Sequence, residues 1–387
     1  MTDNHLLGLE ALGQDLWLDF VSRAIIRNGD LARMIEQDGL SGVTSNPTIF
    51  EKVIDHTSDY DDEIRSLAIH GQSTPEIARE IMVDDIRAAA DQFRTLYERS
   101  NKRQGYVSIE VSPLLANDTS GTIRQARELW NAVSRPNIFV KVPATREGLT
   151  AIRDLTAEGI NVNVTLLFGL PRYREVAQAY IDGIRSRMIR NEPVEGIASV
   201  ASFFLSRIDV LIDPMLDRRS GEAGETAQAA AALKGKTGIA SAVMAYAMYK
   251  EMFGGPAFSE ASAKGARPQR VLWASTGTKN PAYSDVMYVD PLIAPDTIST
   301  QPQETMKAYR EHGNPALRLE QGYDAAQRDL YALSQVGINI DEVTYQLERE
   351  GIEKFSESFE KLMEAIERKR IDIVTQEAIE SEQIGIA

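Results

Sequence analysis

Eight short apolar runs, most ending in polar residues and most separated by helical stretches, constrain this chain more than any other feature. They are LWLDF (16–20), LSGVTSNP (40–47), YVSIEVSP (106–113), NIFVKVPAT (137–145), INVNVTLLF (160–168), IASVASFFL (197–205), RVLWAST (270–276) and VMYVDPLIA (286–294). Runs this nearly apolar imply burial on both faces, as in a parallel sheet. Residues 75–98 show the intervening pattern. Ile77, Ile81, Ile86, Ala90, Phe93 and Tyr97 fall along one helical face, Ser73 and Thr74 offer the cap, and Pro75 suits the first turn. Eight strands alternating with helices predict an α/β fold, a (β/α)8 TIM barrel, with a doubly wound open sheet as the main alternative. The barrel is favoured because polar residues sit at the C-terminal end of nearly every run, where barrel enzymes build their sites.

The 387 residues exceed what a bare barrel needs. A single barrel domain over 1–387 is expected, with helical insertions near 48–104 and 217–268 and a helical C-terminal region over 303–370. An Ala-rich run (AQAAAALKGKTGIASAVMAYAMYKEMF) lies in the second insertion, and Phe355, Phe359, Leu362 and Ile366 read as packing anchors of the third region. The segment IDIVTQEAIESEQIGIA reads as weakly packed. The triplet Gly235-Lys236-Thr237 resembles the end of a phosphate-binding loop, but Ala230 stands where that loop needs glycine and no strand precedes it, so a helical reading is preferred.

Several chemistries are excluded by composition. With no cysteine, disulfides, thiolate metal sites and cysteine nucleophiles are ruled out, and the chain is compatible with the cytosol. Only His5, His56, His70 and His312 are present, none in a predicted strand, which argues against a histidine metal site or a Ser-His triad. A net charge of −15 disfavours nucleic acid as a partner. No apolar run approaches the roughly 20 residues of a membrane span. The first residues, MTDNHLLGLEALGQ, lack a basic segment followed by an apolar one, so no signal peptide is expected.

Lys141 is the residue with the most distinctive surroundings. Ile138, Phe139, Val140, Val142 and Pro143 flank it, with no acidic residue within four positions. Burial disfavours the ammonium, and a neutral amine is a nucleophile that forms Schiff bases with carbonyl compounds. The alternative is a strand-end lysine whose stem packs while its head reaches water, and the strand alone favours that alternative. The other polar strand ends are Asp19; Thr44, Ser45 and Asn46; Glu110; Asn163 and Thr165; Ser202, Phe204 and Arg207; Ser275 and Lys279. In a barrel all of them point toward one mouth.

GVTSNPTIF (42–50) and NIFVKVPATREG (137–148) together resemble the two signature segments of transaldolases. The resemblance runs from about residue 14 to 370, and the order LDF, TSNP, IEVSP, FVKVPAT, NVNVTLLF, SFFLSRID, WASTGTKNP agrees with it. Length and helical insertions are similar to the longer bacterial transaldolases, some of which are fused to a phosphoglucose isomerase domain that this sequence does not include. The resemblance implies a class I aldolase-type barrel that uses a Schiff base, with no cofactor and no metal.

It also implies roles. Lys141 matches the Schiff-base lysine. Asp19 matches the base that takes the C4 hydroxyl proton; its alternative is a helix N-cap, since helical sequence follows at 22–37. Glu110 matches a second acid/base acting through a water. Two carboxylates beside the lysine favour its ammonium and so oppose desolvation. Thr165 matches the threonine that holds this water. Asn46 and Asn163 match the substrate-hydroxyl contacts and Thr44 lies beside them in the substrate-binding set, although Asn before Pro47 is also a common turn former. Arg207 matches the phosphate-binding arginine, its alternative being a surface ion pair with Asp209 or Asp213. Ser202 and Ser275 match further polar contacts.

Two departures stand out. Shorter transaldolases carry Ser-x-Arg after the seventh strand; here the run is Ser275-Thr276-Gly277-Thr278-Lys279, and Lys279 supplies a point charge without the guanidinium fork. Phe203 stands where shorter relatives have proline. Phe204 matches a pocket phenylalanine of transaldolases, whereas fructose-6-phosphate aldolases have tyrosine there and lack the catalytic glutamate. Phe204 with Glu110 therefore implies transfer rather than simple cleavage.

The expected function is a cytosolic transaldolase acting on sugar phosphates, with no nucleic-acid or membrane partner and either a monomer or a homodimer. The alternatives are an aldolase releasing dihydroxyacetone, or a non-catalytic barrel or detached half of a fused enzyme.

Overall fold

The computed structural model describes residues 4–385. Its eight strands are β1 (Gln14–Leu18), β2 (Leu40–Thr44), β3 (Tyr106–Glu110), β4 (Ile138–Pro143), β5 (Val162–Leu167), β6 (Ser199–Phe204), β7 (Arg270–Ala274) and β8 (Thr297–Gln301). They pair in chain order, all parallel, and β8 closes onto β1. The result is a (β/α)8 barrel ringed by helices, so the open sheet is excluded. Closure leaves no free strand edge.

The eighth strand is a correction to the sequence reading. VMYVDPLIA is not a strand: it is a buried loop with a short 3-10 turn at Asp290–Leu292. Pro291 has no N–H and cannot donate to a ladder. The true strand, TISTQ, is polar by composition yet all five residues are buried. Some of its polar groups are bonded locally: Thr297 Oγ1 donates to Ala294 O at 2.6 Å and accepts from Gln14 Nε2 at 2.9 Å, whereas Thr300 Oγ1 and Gln301 Oε1 have no hydrogen-bond partner among the described residues. An apolar-run criterion passes over a buried strand of polar composition.

The helix anticipated at 75–98 runs over Thr74–Gln92, with Ser73 and Glu76 forming a reciprocal capping box, and a second helix continues at Arg94–Arg99. Ile77, Ile81, Ile86, Ala90, Phe93 and Tyr97 are all buried. The Ala-rich run is two helices, Glu225–Leu233 and Thr237–Gly254. They break at the Gly235-Lys236-Thr237 triplet, where Asp213 Oδ1 accepts from Gly235 N (2.9 Å) and Asp209 Oδ1 from Gly238 N (3.1 Å). Carboxylates of this chain occupy the amides that a phosphate would need in the set-aside reading.

A helix from Ile340 to Gly385 passes over the C-terminal ends of the strands and packs on helices Pro47–His56, Asp61–Ile69 and Thr74–Gln92. Arg368 pairs with Asp55 at 2.6 Å and Arg172 with Glu348 at 3.2 Å, while Lys369 pairs with Asp61. In the segment read as weakly packed, Ile373 is buried and Ile371 and Val374 are partly exposed; the side chains from 376 onward lie outside the described residues. Among the described residues no helix is long and apolar enough to cross a membrane.

Candidate active site

Side chains two apart on a strand share a face. Phe139 and Lys141 on β4, Ser108 and Glu110 on β3, and Asn163 and Thr165 on β5 therefore alternate in step. The parallel registers Glu110–Lys141 and Lys141–Asn163 put three polar groups side by side. Below them the barrel is filled by Trp17, Phe139 and Tyr106, with Phe139 5.9 Å from the first ring and 4.4 Å from the second. Above them opens a cavity of about 190 Å³. Asp19, Thr44, Asn46, Lys141, Thr165 and Ser202 line its inner wall, and Phe204, Arg207, Ser275 and Lys279 its outer part. Glu110 and Asn163 do not line it; they sit directly behind.

Lys141 is 6% exposed, so its head does not reach bulk water. Its Nζ donates to Ser45 O at 2.9 Å and lies 3.5 Å from Glu110 Oε2. Burial pushes the Glu110 carboxyl above its ordinary value; Lys141 pulls it back and the Asp19 charge adds to the rise. Asp19 Oδ1 accepts from Thr44 Oγ1 at 2.8 Å. The helix that follows begins at Arg23 with Ser22 at its N-cap, so Asp19 is not a cap. An amine beside one carboxylate, with a second carboxylate lining the same small cavity, can capture a carbonyl and move protons around it.

The signature segments have local physical reasons. After β4, Thr145 caps helix Arg146–Glu158: its Oγ1 accepts from Gly148 N at 3.0 Å and donates to Ala116 O at 2.6 Å. A Cβ at Gly148 would stand 2.0 Å from Pro143 O, so only glycine lets the helix turn over the end of the lysine strand. After β2, Asn46 Oδ1 accepts from Thr48 N at 3.0 Å and caps helix Pro47–His56, with Pro47 in the first turn. That turn fixes the Ser45 carbonyl against Lys141.

Asn163 is engaged at both ends: Nδ2 donates to Ser108 Oγ at 3.0 Å and Oδ1 accepts from Ser202 Oγ at 2.7 Å. Thr165 Oγ1 and Glu110 Oε1 are buried with no hydrogen-bond partner among the described residues. Register slips past Val164, and Leu166 takes a left-handed φ of 55°. Strained backbone of this kind concentrates at working sites.

Arg207 stands at the start of helix Ser206–Ser220. Neither Asp209 nor Asp213 partners it. Asp209 Oδ2 accepts from Tyr288 OH at 2.8 Å, and Asp213 Oδ2 from Tyr283 OH at 2.7 Å. Burial lowers the pKa of the guanidinium, with the Asp19 and Glu350 charges opposing. Ser275 has φ 55°, and its Oγ lies 2.8 Å from Ser206 Oγ. Lys279 is exposed at the rim.

Sequence reasoning missed Thr300 and Phe355, which also line the cavity. Thr300 was lost with the misplaced eighth strand. Phe355 reads as a helix anchor, and no spacing ties it to a strand end.

The family model for Transaldolase/Fructose-6-phosphate aldolase matches residues 16–366. A protein named Transaldolase from Saccharopolyspora erythraea is 45% identical over 372 residues, covering 96% of this chain and 99% of that one. Another from Thiobacillus denitrificans is 45% identical over 355 residues, covering 92% and 97%. A third, from Trichodesmium erythraeum, is 45% identical over 373 residues, covering 95% and 98%. A closed barrel with a buried amine paired with a carboxylate at its mouth, in a chain matched this fully, leads to one conclusion: it belongs to the transaldolase/fructose-6-phosphate aldolase family and is a transferase of the transaldolase class.

Proposed function

We propose that this transaldolase moves a dihydroxyacetone unit from sedoheptulose 7-phosphate to glyceraldehyde 3-phosphate, giving erythrose 4-phosphate and fructose 6-phosphate. This is a step of the pentose phosphate pathway, and the reading places the enzyme in the cytosol. Lys141 Nζ attacks the C2 carbonyl of the donor. Glu110 passes protons through a water held by Thr165 while the carbinolamine loses water. The resulting iminium is an electron sink. Asp19 takes the C4 hydroxyl proton, the C3–C4 bond breaks, and the aldose phosphate leaves. The enamine on Lys141 attacks the acceptor aldehyde, and hydrolysis frees the new ketose.

Thr44, Asn46 and Ser202 contact the substrate from the cavity wall, with Asn163 behind them. Arg207, Ser275 and Lys279 take the phosphate. Three features support that assignment: two cations in one wall, the start of a helix whose dipole favours an anion, and an arginine with no carboxylate paired to it among the described residues. In a chain of net charge −15, such local cations are what an anionic substrate requires.

The observation that carries the reading is the buried Lys141 Nζ, 3.5 Å from Glu110 Oε2 at the cavity wall. Borohydride added with sedoheptulose 7-phosphate should trap a dihydroxyacetone adduct on Lys141, seen by mass spectrometry of the modified peptide. A fully active Lys141→Ala protein, or an adduct on another lysine, would overturn it. Free dihydroxyacetone made at the transfer rate without acceptor would make the enzyme an aldolase.

A further inference from the structure

We infer that Phe355, on the C-terminal helix, is a positioning residue that holds Arg207 aimed into the cavity for the substrate phosphate. The inference rests on the reading of Arg207 given above and adds a residue from a part of the chain that this reading leaves without a role.

Among the described residues the Arg207 guanidinium has no ion pair and no side-chain hydrogen bond. It is held by rings instead. Its Cζ lies 5.6 Å from the Phe204 ring centroid and 5.9 Å from that of Phe355. Both rings line the same cavity as Arg207. Glu350, the acidic residue of this helix whose charge acts on the guanidinium, is bound to Gln346 at 2.7 Å and Lys354 at 3.2 Å. A carboxylate on Arg207 would compete with a phosphate for the same N–H donors. Aromatic faces hold the cation without occupying those donors. An unheld arginine, by contrast, would have to lose its rotamer freedom each time substrate bound.

The helix is built to bring Phe355 there. Gly351 lies one turn earlier on the same face, and a Cβ on it would stand 3.0 Å from Leu166 Cδ2. The bare backbone therefore approaches the strained end of β5. Ser358, three residues after Phe355, accepts from Thr48 Oγ1 at 2.9 Å, tying the helix to the segment after β2. Phe168, which also faces Gly351, meets Phe204 at 5.2 Å between ring centroids and backs the second ring. The C-terminal helix thus supplies one jaw of a ring clamp, and the barrel supplies the other.

The test compares phosphorylated and unphosphorylated donors, sedoheptulose 7-phosphate against sedoheptulose, in Phe355→Leu, Phe355→Tyr, Arg207→Ala and the double variant Arg207→Ala/Phe355→Leu. Phe355→Leu should lower the phosphorylated-to-unphosphorylated ratio of kcat/KM by about tenfold, mostly through KM. It should weaken inhibition by inorganic phosphate in parallel. Phe355→Tyr, which keeps a ring, should restore both. In the Arg207→Ala background, Phe355→Leu should change the ratio no further. If Arg207→Ala leaves the ratio at the wild-type value, the phosphate role of Arg207 falls. If Arg207→Ala lowers the ratio while Phe355→Leu keeps it, or reduces both donors equally, Phe355 is only a packing residue and the inference is overturned.

Discussion

Glu110 and Lys141 are register partners on adjacent strands, and their charged atoms, Oε2 and Nζ, lie 3.5 Å apart with both side chains largely buried. Thirty-one positions separate them in the chain (141 minus 110), yet each is the other's closest opposite charge. The pairing makes the carboxyl available to the amine while its other oxygen stays unpartnered.

Glu110→Gln should keep the shape and remove the acid/base. We expect kcat to fall by about 10²–10⁴-fold with little change in donor KM, because proton transfer acts mainly in the transition state. Steady-state kinetics on the folded variant checks this. An unchanged kcat would remove Glu110 from the mechanism.

Gly148→Ala tests how the lysine strand is held. The new Cβ would meet a backbone carbonyl at 2.0 Å, which cannot rotate away. A loss of at least about 2 kcal/mol is expected by urea unfolding. Wild-type stability in this variant would show that the end of β4 is not constrained by the helix turn.

Asp85→Ala addresses a buried network that secures the chain just past Asp19. Arg23 Nε donates to Asp85 Oδ1 at 2.9 Å and Tyr60 OH to Asp85 Oδ2 at 2.6 Å, while Arg23 Cζ lies 4.3 Å from the Tyr60 centroid. Removing the carboxylate leaves Arg23 buried with, among the described residues, only Glu63 as its acidic partner, so about 3–5 kcal/mol should be lost. The midpoint of chemical denaturation reads this directly. A shift of less than about 1 kcal/mol would mean water replaces the carboxylate at little cost.

Asp209→Asn tests a pH dependence. Burial, outweighing the bonds from Tyr288 and Gly238, raises this carboxyl from 3.8 to about 6. The folded state thus binds its proton more tightly than the unfolded chain. The associated stability is fully present below pH 3.8 and is lost as pH rises through about 6, an effect of about 3 kcal/mol. Between these values the variant should lose less stability with rising pH than the wild type does. Parallel Tm profiles from pH 4 to 7 would contradict the raised value.

Much of the site was legible because strand ends carry polar residues in a repeating order. Asp19, Thr44, Lys141, Thr165, Ser202 and Arg207 all reach one cavity as the barrel reading requires. What escaped did so for identifiable reasons. TISTQ was passed over because it is polar by composition although buried, and VMYVDPLIA was mistaken for it because burial alone does not make a strand. The split of the Ala-rich helix depends on Asp209 and Asp213, more than twenty residues upstream, capturing the amides of Gly235 and Gly238.

The sequence by itself determined the alternation of strands and helices and the polar ends of the first seven strands, since a period of two on each strand and helical spacing between strands are local properties. Only the tertiary structure decided distances. It set Glu110 against Lys141, turned Asn163 behind the wall, and carried Phe355 over the mouth on a helix that begins thirty-nine residues beyond the last strand (340 against 301). Ring closure and helix packing act between residues far apart in the chain, and no local pattern records where such residues meet.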